Sequence, residues 1–243
     1  MSLIIASGTL YLRDSSGVVQ YSTDNTNWTP VDWPATIQNS NTATTLTVLF
    51  RTNITLSSNA NYFRCNSDNI QFGSRSLKSN GTRPMIVMDG VTDYLGLIQN
   101  GTNNPGVSVF SSIYVCNLEI QSINGSFIQK GAGWFGQTYY GNARENNYFV
   151  NCTSDGFISS ESGGIVGSFA GSYEGNLAIL GCSSTGVIFE GAGGIIGRNA
   201  ANSLGLVKIS ECYSSGEINI GAGGIVGPYS VEDSGEITVE NCL

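Results

Sequence analysis

The chain has 243 residues and a formal net charge of −8. Only 12% of its residues are Asp, Glu, Lys or Arg, and it contains no histidine. A typical globular domain carries about 25% charged residues; here Gly, Asn, Ser and Thr take their place. The acidic balance argues against a nucleic-acid groove. The lack of histidine removes Ser-His-Asp and Cys-His catalysis and imidazole metal ligation, and no apolar run is long enough for a transmembrane helix.

In chain order, residues 1–38 are expected to form an N-terminal β cap. "TLYLRDSSGVVQYS" (residues 9–22) reads as a hairpin, two alternating runs around a turn, and Trp28 and Trp33 are placed to plug the first coil of a stack. "MSLIIASGTLYL" lacks a basic region and has too short an apolar core for a secretion signal. Residues 39–115 read as irregular coils. "ANYFRCNSDNIQF" around Cys65 looks like a degenerate coil in the same cysteine phase as the later ones.

Residues 116–243 carry a regular repeat. Cys152, Cys182, Cys212 and Cys242 are each 30 residues apart, as are Gly167, Gly197 and Gly227. Cys116 precedes Cys152 by 36, so that coil is longer. A fixed period in the range of roughly 20 to 50 residues marks a solenoid, propeller or array. "LVKIS" alternates with period two, and "GVIF" and "GGIIG" are short apolar runs bounded by glycine. About three short strands per repeat predict an all-β, right-handed parallel β-helix of six or seven coils, stacked at about 4.8 Å. A propeller blade would need about 40 to 50 residues. Stacking puts Val207 between Leu177 and Ile237 on an inward column. Lys208, Ala178 and Thr238 share an outward one, and Ser154, Ser184 and Ser214 are also placed outward. The phrases "GAGGIIG" and "GAGGIVG" are corners rather than phosphate loops, because Gly197 is followed by Arg198 and Asn199, not by Lys and Ser/Thr.

The four in-phase cysteines form an inward column whose parallel side chains suit disulfides poorly, so free, buried thiols are expected. No CxxC pair offers a thiolate metal site, and no cofactor is expected. Carbohydrate hydrolysis would need two nearby carboxylates. The candidates Asp68, Asp89, Asp93 and Asp155 form no recognisable cluster, and Asp68 and Asp89 read as corner or turn residues. A non-enzyme is therefore expected, with a carbohydrate-active lyase or hydrolase as the alternative. Six N-x-[ST] sequons occur, at Asn27, Asn53, Asn80, Asn100, Asn124 and Asn151. Tyr139, Tyr140, Phe169, Tyr173 and Tyr229 sit in the loops that vary between repeats. They are candidates for glycan or partner binding, or else fold back over the edge of the stack. The strand containing Ile237 and Val239 presents an unpaired edge, so residues 236–243 are expected to be covered, either by a continuation of the natural chain or by a second copy or another structural protein.

"CSSTGVIFEGAGGIIG" (residues 182–197) and "CYSSGEINIGAGGIVG" (residues 212–227) resemble the GLUG-type repeats of bacterial surface adhesins. The fuller arrangement resembles β-helix repeat proteins of giant DNA viruses, particularly marseillevirus-like ones. There "VQYSTDNTNWTPVDWPATIQN" (residues 19–39), "GVTDYLGLIQNG" (residues 90–101) and the cysteine-anchored repeats follow in this order. The viral resemblance implies a structural or attachment protein of the virion, assembled in host cytoplasm with reduced thiols, with no catalytic residues to carry over. The adhesin resemblance implies a cell-surface or secreted protein.

Overall fold

The computed structural model describes residues 2–74, 82–101, 109–142 and 146–243. Among these there is no helix, and stacked parallel strands form a β-solenoid of about seven turns. Three sheets run along its length. The longest has ten strands, from Glu236–Glu240 back through Leu206–Ser210, Asn176–Leu180, Asn147–Val150, Ile113–Cys116, Ile70–Phe72 and Leu46–Phe50 to Thr9–Ser15, Val18–Ser22 and Thr29–Pro30. A second has six strands, running from Tyr213–Ser214 to Ile54–Leu56. The third has four strands: Ser2–Ala6, Ala35–Asn39, Phe63–Cys65 and Ile98–Gln99. It continues past Ile98 as single parallel bridges through Gly136, Val166, Ile196 and Val226. A second bridge column runs through Gly133, Gly163, Gly193 and Gly223, so the glycine-rich phrases are the third side of every later coil, worn down to two singly bridged residues.

The first residues already belong to the stack. Ser2–Ala6 pairs in parallel with Ala35–Asn39, and Thr9–Ser15 with Leu46–Phe50. Thr9–Ser15 then folds back on Val18–Ser22 as the expected antiparallel hairpin, and Thr29–Pro30 closes that edge. Pro30 has no N–H to offer another strand, so the edge is blunted. Trp33 packs onto the core with its ring 5.0 Å from that of Phe63. Trp28 lies outside instead, under the guanidinium of Arg13 at 4.0 Å.

Register follows the 30-residue period. Leu177 pairs with Val207 and Val207 with Ile237; Ile179, Ile209 and Val239 form the next inward column. Leu177, Ile179 and Ile209 are completely buried, each worth about 1.5–3 kcal/mol. Lys208 faces outward, between Ala178 and Thr238. Cys152, Cys182 and Cys212 stack inside as predicted, and Cys242 is half-buried at the end.

Three expectations change. In the coil before Cys152 the column is held by Leu118, because Glu119 pairs with Thr153; Cys116 sits two residues earlier, opposite Val150. Cys65 is on another side altogether, opposite Ile37. A thiol behaves as a small apolar group, so any inward position accepts it and cysteine alone does not fix phase. Ser154 and Ser184 are buried, not outward. They lie two residues after a buried cysteine and so on the same face, and their hydroxyls donate to the carbonyls of Gly164 (2.6 Å) and Gly194. That bond is what lets a polar side chain into the core.

Candidate functional site

The site lies along one corner of the stack. Ile158, Ile188 and Ile218 form a parallel bridge column pointing inward. Period two therefore sends the neighbouring side chains outward. Phe127 and Phe157 are themselves bridged, one coil apart, and Phe189 follows Ile188. The three rings stay 40%, 50% and 44% exposed, and those of Phe157 and Phe189 meet edge to face at 6.3 Å. Together with Asp93, Gln129, Lys130, Ser159 and Ser160 they line a groove of about 440 Å³. A second groove, of about 550 Å³, starts from the same Lys130 and Ser160 and passes Glu161, Glu190, Arg198 and Tyr229. The two make one depression running across the coils.

Glu161 organises its middle. Its Oε1 accepts from Lys130 Nζ at 3.2 Å and from Arg198 Nη1, and the Arg198 guanidinium lies 5.0 Å from the centre of the Tyr229 ring. The equivalent corners of other coils are Gly131, Gly191 and Gly221, with φ of 80°, 70° and 74°; Glu161 adopts 64°. For a residue with a Cβ this region costs about 1–2 kcal/mol. The fold accepts glycine here in three coils, so it does not require a glutamate. Among the described residues, Lys130 and Arg198 are the two cations lining the depression, and Asp93, Glu161 and Glu190 its three carboxylates. Among the described residues no group of three or more Cys, Asp or Glu could hold a metal ion.

The loop aromatics chosen from the sequence divide. Tyr139 and Phe169 stack at 4.7 Å with ring planes 12° apart. Tyr229, 62% exposed, is in phase with them and joins the groove. Tyr173 is exposed on a neighbouring loop. Tyr140 is a correction: it is completely buried, 4.7 Å from the ring of Phe149. It shares an inward phase with Ala170 and Ala200, both buried. Burial pushes its phenol well above the ordinary value, with Cys65 and Cys152 adding to the shift, and it offers no face to a ligand. Phe127, Phe157 and Phe189 were missed in the sequence because each sits in a short apolar pair or run, "FI" or "GVIF", that looks uniformly buried; the signal was their position beside the inward isoleucines.

The carboxylates also separate. Asp68 accepts from the Ser111 N–H at 2.7 Å and Asp155 from that of Ser122 at 2.6 Å, while Asp89 accepts from Asn124 Nδ2 at 2.6 Å. These three tie corners together, and only Asp93 reaches the groove. Among the sequons, Asn100 is buried and bonded to the backbone of Phe110, and Asn80 lies outside the described residues.

Fold and groove define a parallel β-solenoid with a lateral, aromatic-lined cleft. No protein-family model matches the chain, and comparison with curated proteins and with solved structures also found no match.

Proposed function

We propose that the chain is a non-enzymatic structural or attachment protein of a surface, and that its lateral groove binds a glycan. The observation that carries this is the row of half-exposed phenyl rings, Phe127, Phe157 and Phe189, set among polar side chains in one groove. Aromatic faces pack on the C–H faces of pyranoses, while groups such as Gln129, Ser159 and Ser160 suit their hydroxyls. The virion surface is the location implied by the viral resemblance. The end of the stack at Glu236–Glu240 is proposed to pair with another subunit.

A carbohydrate-active enzyme is the second reading, favoured by Glu161 and Glu190 sharing the groove. Glycoside hydrolysis needs one carboxyl as proton donor and another as base or nucleophile. Glu161 is instead occupied by two cations, which supports binding without turnover. A glycan array with the wild-type chain and Phe157→Ala tests the proposal. Glycan binding that the substitution abolishes is expected; cleavage of a bound oligosaccharide would overturn it in favour of the enzyme.

A further inference from the structure

Resting on that glycan-binding reading, we infer that the ligand is a linear, uncharged glycan. It lies along the solenoid axis, with about one sugar per coil, and is held along its length rather than by an end.

The first ground is the path of the depression. It begins at Asp93, next to Tyr94, which is bridged to Ile128 of the following coil. It then crosses the coils of Phe127, Phe157 and Phe189 and ends beside Gly221 and Tyr229. Four coil-to-coil steps of about 4.8 Å give roughly 19 Å. A site for a terminal sugar would sink between two coils; this one spans five.

The second ground is periodicity. A pyranose in an extended chain advances by about the spacing between coils, so successive sugars meet successive coils. Phe127 and Phe157 share one column, Phe189 stands two residues past the equivalent Val187, and Tyr229 comes from the column of Tyr139 and Phe169, so each coil from Phe127 onward offers one ring, from more than one column. The polar partner in phase changes from Lys130 to Ser160 to Glu190. Each coil therefore offers one aromatic side chain, and the polar partner beside it changes from coil to coil.

The third ground is charge. Both cations are engaged by Glu161, and with Asp93 and Glu190 the depression sums to 2 − 3 = −1, on a chain of −8. A sulfated or uronate-rich polymer would meet repulsion, since among the described residues of the depression both cations are already engaged by Glu161. Glu161 then acts as a positioning residue, holding Arg198 against the face of Tyr229 at the far end of the depression.

The test is calorimetric titration of the 243-residue chain. The backbone identified on the array supplies an oligosaccharide series from one to six units, with a sulfated or uronate counterpart of the longest. Affinity rising several-fold with each unit to a plateau at about four, and lost on sulfation, is the expected result. Phe157→Ala and Phe189→Ala should each weaken the tetrasaccharide about tenfold, with unchanged thermal unfolding. Affinity that is the same for a monosaccharide and a hexasaccharide, or hits confined to acidic glycans, would overturn this inference and leave glycan binding standing. An array with no hits would sink both.

Discussion

The backbone N–H of Cys152 donates to the Sγ of Cys182, one coil further on, at 3.4 Å, and Cys212 donates to Cys242 in the same way at 3.4 Å. The sulfurs also donate: Cys152 Sγ lies 3.4 Å from the Val115 carbonyl and Cys212 Sγ 3.4 Å from that of Ile179. The column is a run of free thiols used as weak hydrogen-bonding groups inside the stack. All six cysteines are free, and only Cys242 is not fully buried. A thiol reagent should therefore label Cys242 quickly in the native protein and the other five only on unfolding. Mass spectrometry of the labelled sites checks this. A disulfide linking Cys152 to Cys182 under non-reducing conditions would contradict the column.

Alkaline pH should destabilise the fold. Burial pushes the Cys65 thiol far above its usual range, and burial likewise raises Cys182. A raised folded value means the contribution is fully present below the unfolded thiol pKa of about 8.5 and is lost as pH rises through the folded value. The melting temperature should hold at neutral pH and fall progressively above about pH 8.5. Cys65→Ala should flatten that fall while lowering stability at neutral pH by about 1 kcal/mol. A melting temperature independent of pH up to 10 would count against neutral buried thiols.

The period was readable because stacking forces like residues over like. Leu177, Val207 and Ile237 had to recur at one phase once the coils were of equal length. What resisted reading was the direction of single residues. Tyr139 and Tyr140 are adjacent, yet one faces out and the other in, and the register that puts Tyr139 with Phe169 and Tyr140 with Ala170 decides which. Ser154 and Ser184 look like surface residues until the carbonyls of Gly164 and Gly194 are seen to satisfy them. Phe127, Phe157 and Phe189 look like core residues until the isoleucine column beside them fills it. Polarity gave the wrong side in both cases, because the side is set by what lies across the coil, a carbonyl ten residues on for the serines and a core already filled by isoleucine for the phenylalanines.

Trp134 is completely buried, and its Nε1 donates to the Gly156 carbonyl at 3.1 Å. A Cβ on Gly156 would lie 2.0 Å from Cζ2 of that indole. Gly156→Ala should cost about 3 kcal/mol through overpacking, read by chemical denaturation. Trp134→Phe in the same chain should recover part of the loss, since contacting sites do not add. Additive effects of the two substitutions would show that the indole is not what the methyl strikes.

Glu161→Gly separates structure from function. The substitution relieves a positive φ and gives the corner the residue used at Gly131, Gly191 and Gly221. The ion pairs it removes are partly exposed and worth about 0–1 kcal/mol. Stability should change by less than about 1 kcal/mol, while glycan affinity falls because Arg198 is no longer held against Tyr229. A large loss of stability, or unchanged binding, would make Glu161 a structural residue only.

Among the described residues no strand stacks on the coil of Glu236–Glu240. Ile218 belongs to the inward column of Ile158 and Ile188, yet it is 54% exposed where they are completely buried. Val239, in phase with the buried Ile179 and Ile209, is 47% exposed. Among the described residues, Glu236–Glu240 pairs on one side only, with Leu206–Ser210. In the 243-residue protein an edge that joins unpaired backbone groups to apolar columns is expected to recruit another strand, supplied by a second copy of the same chain. Sedimentation of the 243-residue protein should show concentration-dependent association. Val239→Lys should abolish it, because an inward-pointing charge on an edge blocks pairing, while melting of the dissociated chain stays unchanged. A monomer at high concentration whose amides at 236–240 exchange slowly would overturn the idea, since this strand would then be protected with no partner.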